Sequence, residues 1–111
     1  MSAADTDMAR IIFLVKLQPG RSEEFVLAYE QIRHAVAAGV DGHLIDQVCQ
    51  APDDPDSWVI TSEWESLEQF LVWEASHEHR TMVEPLRRCF AEARSLRFLV
   101  RGETSHAVRE R

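Results

Sequence analysis

The side chains best suited to chemistry gather in residues 58–86, WVITSEWESLEQFLVWEASHEHRTMVEPL, which hold all three tryptophans and two of the five histidines. His79 shares a helical side with Met82, Val83 and Leu86, at spacings of three, four and seven, so its imidazole faces the interior. Such a ring has two readings: a core histidine satisfied by a carbonyl or carboxylate, or a group that titrates near neutrality and moves a proton between a ketone or phenol and water. His77 and Arg80 turn toward solvent. Arg80 is placed at the cavity mouth, where it would neutralise an enolate or acyl carboxylate. Trp64 and Trp73 are core candidates first, but both stand at one strand-helix corner and could flank a flat aromatic ligand. Aromatic walls with a few inward polar groups suit such a ligand better than a phosphate or a metal ion.

A second polar set lies earlier in the chain. Strand alternation puts His43, Ile45, Gln47 and Cys49 on one face and Leu44, Asp46, Val48 and Gln50 on the other. His43 is a candidate second proton-transfer group, and Gln47 a candidate hydrogen-bond partner for a substrate carbonyl. Asp46 is read as a surface residue or a buried one, without a role. Tyr29 stands with Phe25 and Ile32 on a helical stripe, as a packing residue whose hydroxyl reaches a polar neighbour or the substrate. His34 falls off that stripe and reads as exposed.

The elements that must position these residues follow from periodicity. Residues 10–17 form a first strand apolar on both faces, hence central in a sheet. Pro19 and Gly20 end it, and a helix follows with Phe25, Ala28, Tyr29, Ile32, Ala35 and Val36 along one side. Residues 43–50 and 58–65 are strands joined by the turn APDDPDS. A helix starts at Ser66, where Gln69 completes capping-box spacing. It is interrupted near Ser76 or continues as a short second helix to about Glu92, and Pro85 predicts a break near Thr81 or Glu84. Residues 94–101 close the fold as a fourth strand. This β-α-β-β-α-β order is the split ferredoxin-like α+β arrangement with an antiparallel sheet. Helices would cover one sheet face, and the two apolar faces of the first strand call for a homodimer to cover the other. One domain spans 10–101, with flexible ends at 1–9 and 102–111.

A chain of 111 residues is about one domain, marginal for enclosing a roomy cavity alone. Its formal net charge of -7 opposes nucleic acid or an anionic membrane as main partner. No apolar run reaches spanning length, and MSAADTDMAR lacks the features of a signal peptide, so a cytoplasmic protein is expected. Cys49 and Cys89 form neither a disulfide scaffold nor a metal site.

Ser62-Glu63-Trp64-Glu65-Ser66, then Phe70, Trp73, Ser76, Glu78-His79 and Leu86-Arg87, resemble the antibiotic-biosynthesis monooxygenase superfamily of dimeric α+β barrels. More narrowly, Asp46-Gln47-Val48-Cys49-Gln50, residues 55–64 and Ser95-Leu96-Arg97-Phe98 resemble the SchA/CurD-like proteins of bacterial spore-pigment and aromatic-polyketide clusters. The resemblance implies a substrate that is a poly-β-ketone or polycyclic phenol, and a chemistry that is either cyclisation with dehydration or oxidation by dioxygen without flavin, haem or metal. The haem-degrading branch wants a polar amide on the first strand and a histidine about ten residues after the second tryptophan. Here Ile11 to Leu14 and Val83 occupy those places, so no cofactor is expected.

The leading expectation is an aromatic polyketide cyclase or aromatase working by shape and histidine acid-base catalysis. A cofactor-independent monooxygenase acting on an anthrone-like or phenolic polyketide is the alternative. A noncatalytic partner of other polyketide-biosynthesis enzymes is a third.

Overall fold

The computed structural model describes residues 7–105. Strand β1 (Ala9–Leu17) buries Ala9, Ile11, Val15 and Leu17 beneath the helices, while Ile12 and Leu14 point the other way. Apolar side chains on both faces give it the central place it takes. The sheet order is β2-β3-β1-β4, with β2 (His43–Gln50), β3 (Ser57–Trp64) and β4 (Phe90–Leu99), every neighbouring pair antiparallel. Helices α1 (Ser22–Gly39), α2 (Leu67–Glu74) and α3 (His77–Arg87) complete the ferredoxin-like α+β fold.

The interruption expected near Ser76 falls at Ala75–Ser76, where Ser76 caps α3 by accepting the His79 N–H at 3.1 Å. The break expected near Thr81 or Glu84 is absent, and Pro85 lies inside α3. It stands in the last turn, where its missing N–H forfeits only the bond to the exposed Thr81 carbonyl. The helix then ends at Arg87 rather than about Glu92, and β4 begins at Phe90, four residues ahead of Arg94. A register shift between Lys16 and Leu17 lets Phe90 pair with Leu17 and lengthens β4 at that end.

Of the ends expected to be flexible, 1–9 and 102–111, residues 1–6 and 106–111 lie outside the described residues. Within them, Ala9 is already in strand, and Val100 N donates to Met8 O at 2.8 Å. No described helix is long and apolar enough to cross a membrane.

Packing beneath the helices divides into two clusters. One joins Val15, Leu17, Phe25, Tyr29, Leu86 and Cys89; the other joins Ala9, Ile11, Trp64 and Phe70. Trp58 belongs with the first, its ring 5.1 Å from Phe25. A cavity opens between the two.

The opposite sheet face carries Ile12, Leu14, Val59, Leu96, Phe98 and Ile45 by alternation. Leu14 is 41% exposed, while Phe98 and Ile45 are each 52% exposed. A side of the sheet this apolar is unpartnered in the single chain.

Candidate active site

The cavity between the clusters has a volume of about 400 Å³, within the range of small-molecule sites, roughly 300–1,000 Å³. Ile11, Phe13 and Ile60 line it from the sheet; Ile32, Val36, Met82 and Val83 line it from the helices. Trp64, Phe70 and Trp73 add aromatic faces. Into this apolar wall project His79, His43, Asp46 and Tyr29, with Arg33, Arg87 and Glu74 as further charged groups.

His79 is brought in by the first turn of α3. Ser76 Oγ donates to Trp73 O at 2.7 Å and accepts from His79 N at 3.1 Å, tying the end of α2 to the start of α3. The ring lies edge-on to Trp73, and Nδ1 is buried without a well-aligned hydrogen bond among the described residues, the backbone of Glu74 being its one polar neighbour in reach. Burial pushes the imidazole pKa below its ordinary 6.5, Arg87 acts in the same direction, and Glu74 opposes both. At neutral pH the ring is therefore uncharged, with a nitrogen available to accept a proton.

His43 enters from the edge strand β2, and its placement corrects the simple alternation. The pairing register shifts between His43 and Ile45, which lets His43 join Asp46 on the cavity side while Ile45 and Gln47 remain on the outer face. Gly42, just before it, has φ +86 and lies so close to α2 that an added Cβ would stand 2.6 Å from the Gln69 side chain. Glu65 N donates to Gly42 O at 2.8 Å, fixing the start of β2 against the end of β3.

Three polar groups then meet. His43 Nε2 lies 2.9 Å from Asp46 Oδ1, and the Tyr29 hydroxyl donates to Asp46 Oδ2. Burial and then Asp46 raise the Tyr29 pKa, so the phenol stays protonated and donates. Trp64, 2% exposed, backs His43 edge-on with centroids 5.2 Å apart and donates from Nε1 to Ser62 Oγ at 3.0 Å. Glu74 accepts two bonds from Arg97, at 2.7 and 2.9 Å, and is thereby tied to the sheet.

His79, His43, Trp64, Trp73 and Tyr29 thus share one cavity. Gln47 and Arg80 do not. Gln47 is exposed on the outer face beside Arg10, Thr61 and Glu63, and Arg80 is exposed and off the lining. The cationic place assigned to Arg80 is taken by Arg87, from α3, and Arg33, from α1. Asp46 was the residue given no role; the signal was its parity with Val48, which packs against the core. Among the described residues no set of three His, Cys, Asp or Glu side chains converges to hold a metal ion.

Residues 8–85 match the profile of the family described as antibiotic biosynthesis monooxygenase. The chain is 45% identical over 104 residues to a 42.8 kDa protein in the whiE locus of Streptomyces coelicolor, covering 94% of this chain. It is 39% identical over 105 residues to protein SchA of Streptomyces halstedii and 41% identical over 103 residues to polyketide synthase CurD of Streptomyces cyaneus, covering 95% and 93% of this chain. It spans only 26% or 27% of the length of these relatives. Among solved structures, SnoaB of Streptomyces nogalater, a cofactor-independent oxygenase, superposes with TM-score 0.79 at 16% identity, over 90% of this chain and 99% of that one. A conserved protein of Methanosarcina mazei gives 0.74 at 14% identity, over 86% and 94%. At such identities these two likenesses describe the fold.

Proposed function

Because the chain belongs to the antibiotic biosynthesis monooxygenase family, we propose that its cavity receives an aromatic polyketide or its polyketone precursor and directs ring closure, as a cyclase or aromatase. The observation that carries this reading is the buried, uncharged imidazole of His79 in an apolar chamber of about 400 Å³. The names of the relatives, one a polyketide synthase and one a product of the whiE locus, support the substrate class.

The chemistry needs little beyond positioning and proton transfer. The walls hold a chain so that one methylene carbon meets one carbonyl, and orientation of this kind lowers a barrier by up to about 7–11 kcal/mol. His79 takes the methylene proton. The enolate carbon attacks the carbonyl, a carbon–carbon bond forms, and the proton returns to the alkoxide to give a hydroxyl; removal of a second carbon-bound proton then expels hydroxide, which takes up that proton and leaves as water. Arg87 and Arg33 offer positive charge to the enolate.

A second reading is supported by the family's description and the SnoaB-like fold. The same imidazole would deprotonate a phenol, and the resulting electron-rich anion would reduce dioxygen, with one oxygen atom entering the ring and the other leaving as water. A noncatalytic part in a larger assembly draws support from the short span of the relatives that the chain covers. Paired sheets from two copies are proposed as the cover of the apolar outer face.

The deciding experiment incubates purified protein with a reactive polyketone and with an anthrone, under air and without oxygen. Ring closure at equal rates in both atmospheres supports the cyclase. Incorporation of labelled dioxygen would replace it with the oxygenase, and inertness toward both substrates would leave the noncatalytic reading.

A further inference from the structure

We propose that Asp46 is the positioning residue of a second proton-accepting site, in which it fixes the tautomer of His43 so that Nδ1 presents a lone pair to the cavity. An ionised carboxylate only accepts hydrogen bonds. One of its oxygens is taken by the Tyr29 hydroxyl, and the other lies 2.9 Å from His43 Nε2. The hydrogen of the neutral ring must then sit on Nε2, and Nδ1, for which no hydrogen bond occurs among the described residues, keeps its lone pair.

The ring has little freedom to choose otherwise. The His43 side chain is 7% exposed and that of Asp46 16%. A flip would set a ring carbon in place of Nε2 opposite Asp46 and lose that bond, while Trp64, edge-on at 5.2 Å, backs the ring and the strand irregularity and Gly42 hold its backbone. Tyr29, anchored in the core cluster beside Phe25, steadies the carboxylate from α1.

A site of this kind serves a step that a single histidine handles poorly, and here the inference rests on the cyclase reading. Dehydrative ring closure removes one proton to form the carbon–carbon bond and a second to expel hydroxide. With imidazoles from α3 and β2 on one cavity, the first proton, carried as an imidazolium, is returned to the alkoxide to give a hydroxyl; the other ring then takes the second carbon-bound proton as that hydroxyl departs, and delivers it to the leaving hydroxide. The balance is one water lost and both rings restored.

The test is nitrogen NMR of the His43 ring in the whole protein, at a pH where the ring is neutral, beside turnover measurements across pH. The expected result is the Nε2–H tautomer in the unaltered protein. Asp46→Asn, whose amide can donate, should lose that preference and slow turnover about tenfold or more, with a changed acid limb. Tyr29→Phe leaves the carboxylate accepting, so it should keep the Nε2–H tautomer and slow turnover less; Asp46→Ala carries the test if Asp46→Asn fails to fold. A ring found as Nδ1–H in the unaltered protein, or a tautomer and rate indifferent to loss of the Asp46 carboxylate, would overturn the assignment. An Nε2–H ring in a protein that turns over no polyketone would instead overturn the cyclase reading while supporting the hold of Asp46 on His43.

Discussion

The imidazole of His79 meets the indole of Trp73 edge to face, ring centroids 5.4 Å apart and planes 76° from parallel. One side of the imidazole is thereby desolvated by a side chain from a different helix. The contact joins the two halves of the 58–86 segment into one wall, so the proton acceptor and the aromatic surface that would orient a flat substrate move together.

Replacing His79 with alanine should lower turnover by a factor of about 10² or more while leaving cooperative unfolding intact. The pH dependence has a definite sign. The folded pKa of His79 is depressed, so the unfolded chain takes up a proton below 6.5 that the native ring resists. Its contribution to stability is full above 6.5 and is lost as pH falls toward the lower folded value. Denaturation midpoints on either side of that pH should show this loss in the native protein and its absence in His79→Gln. Equal slopes in the two would show that the ring is not buried as described.

Ser76 caps α3 and sets the backbone that carries His79. Ser76→Ala should cost about 1 kcal/mol in chemical denaturation, and turnover should fall because the first turn of α3 loses its anchor on Trp73. Asp can supply the same acceptor, so Ser76→Asp should recover most of the stability. A stable, fully active alanine variant would show that the cap positions nothing.

The two cavity tryptophans should separate stability from binding. Trp64 is almost fully enclosed, so Trp64→Ala should cost about 3–5 kcal/mol. Trp73 is only half-buried, and Trp73→Ala should cost about half as much while weakening binding of an aromatic ligand about tenfold. Paired calorimetric and binding measurements distinguish them; unchanged affinity in Trp73→Ala would remove that ring from the ligand wall.

Arg87 and Arg80 should behave differently although they share a helix. Arg87 lines the cavity and helps to depress the His79 pKa. Arg87→Gln should move the acid limb of the activity profile upward and weaken binding of an anionic substrate, whereas Arg80→Ala should change neither. Histidine NMR titration reads the first effect directly, and a downward movement would contradict the electrostatic role.

The outer sheet face should govern association. Leu14→Asp combined with Phe98→Asp should convert a dimer to a folded monomer, read by sedimentation and circular dichroism, because two buried carboxylates without partners would oppose sheet pairing. A native protein that sediments as a monomer at micromolar concentration would remove the dimer proposal.

Strong local patterns made much of the fold legible. The doubly apolar first strand, the Ser66 cap and the strand expected at 58–65 needed only nearest-neighbour physics, and each stands where periodicity placed it, within a residue or two. Pro85 misled because a missing donor is costly in mid-helix and cheap in a last turn, and only the location of the Ser76 cap reveals which applies. His79 was visible through its helical companions. Gln47 was misassigned because strict alternation cannot register an irregularity at Leu44, and the same irregularity carried His43 to the face opposite its predicted neighbours.

From the order of residues alone came the succession of elements, the inward direction of His79 and the aromatic character of the 58–86 segment, since all three depend on neighbours a few positions apart. Only the folded chain decided that Asp46 joins Tyr29 to His43, that Arg87 rather than Arg80 reaches the cavity, and that the core parts into two clusters with space between. Those relations bring together elements distant in sequence, and their geometry is set by strand register and helix packing, which no local repeat encodes.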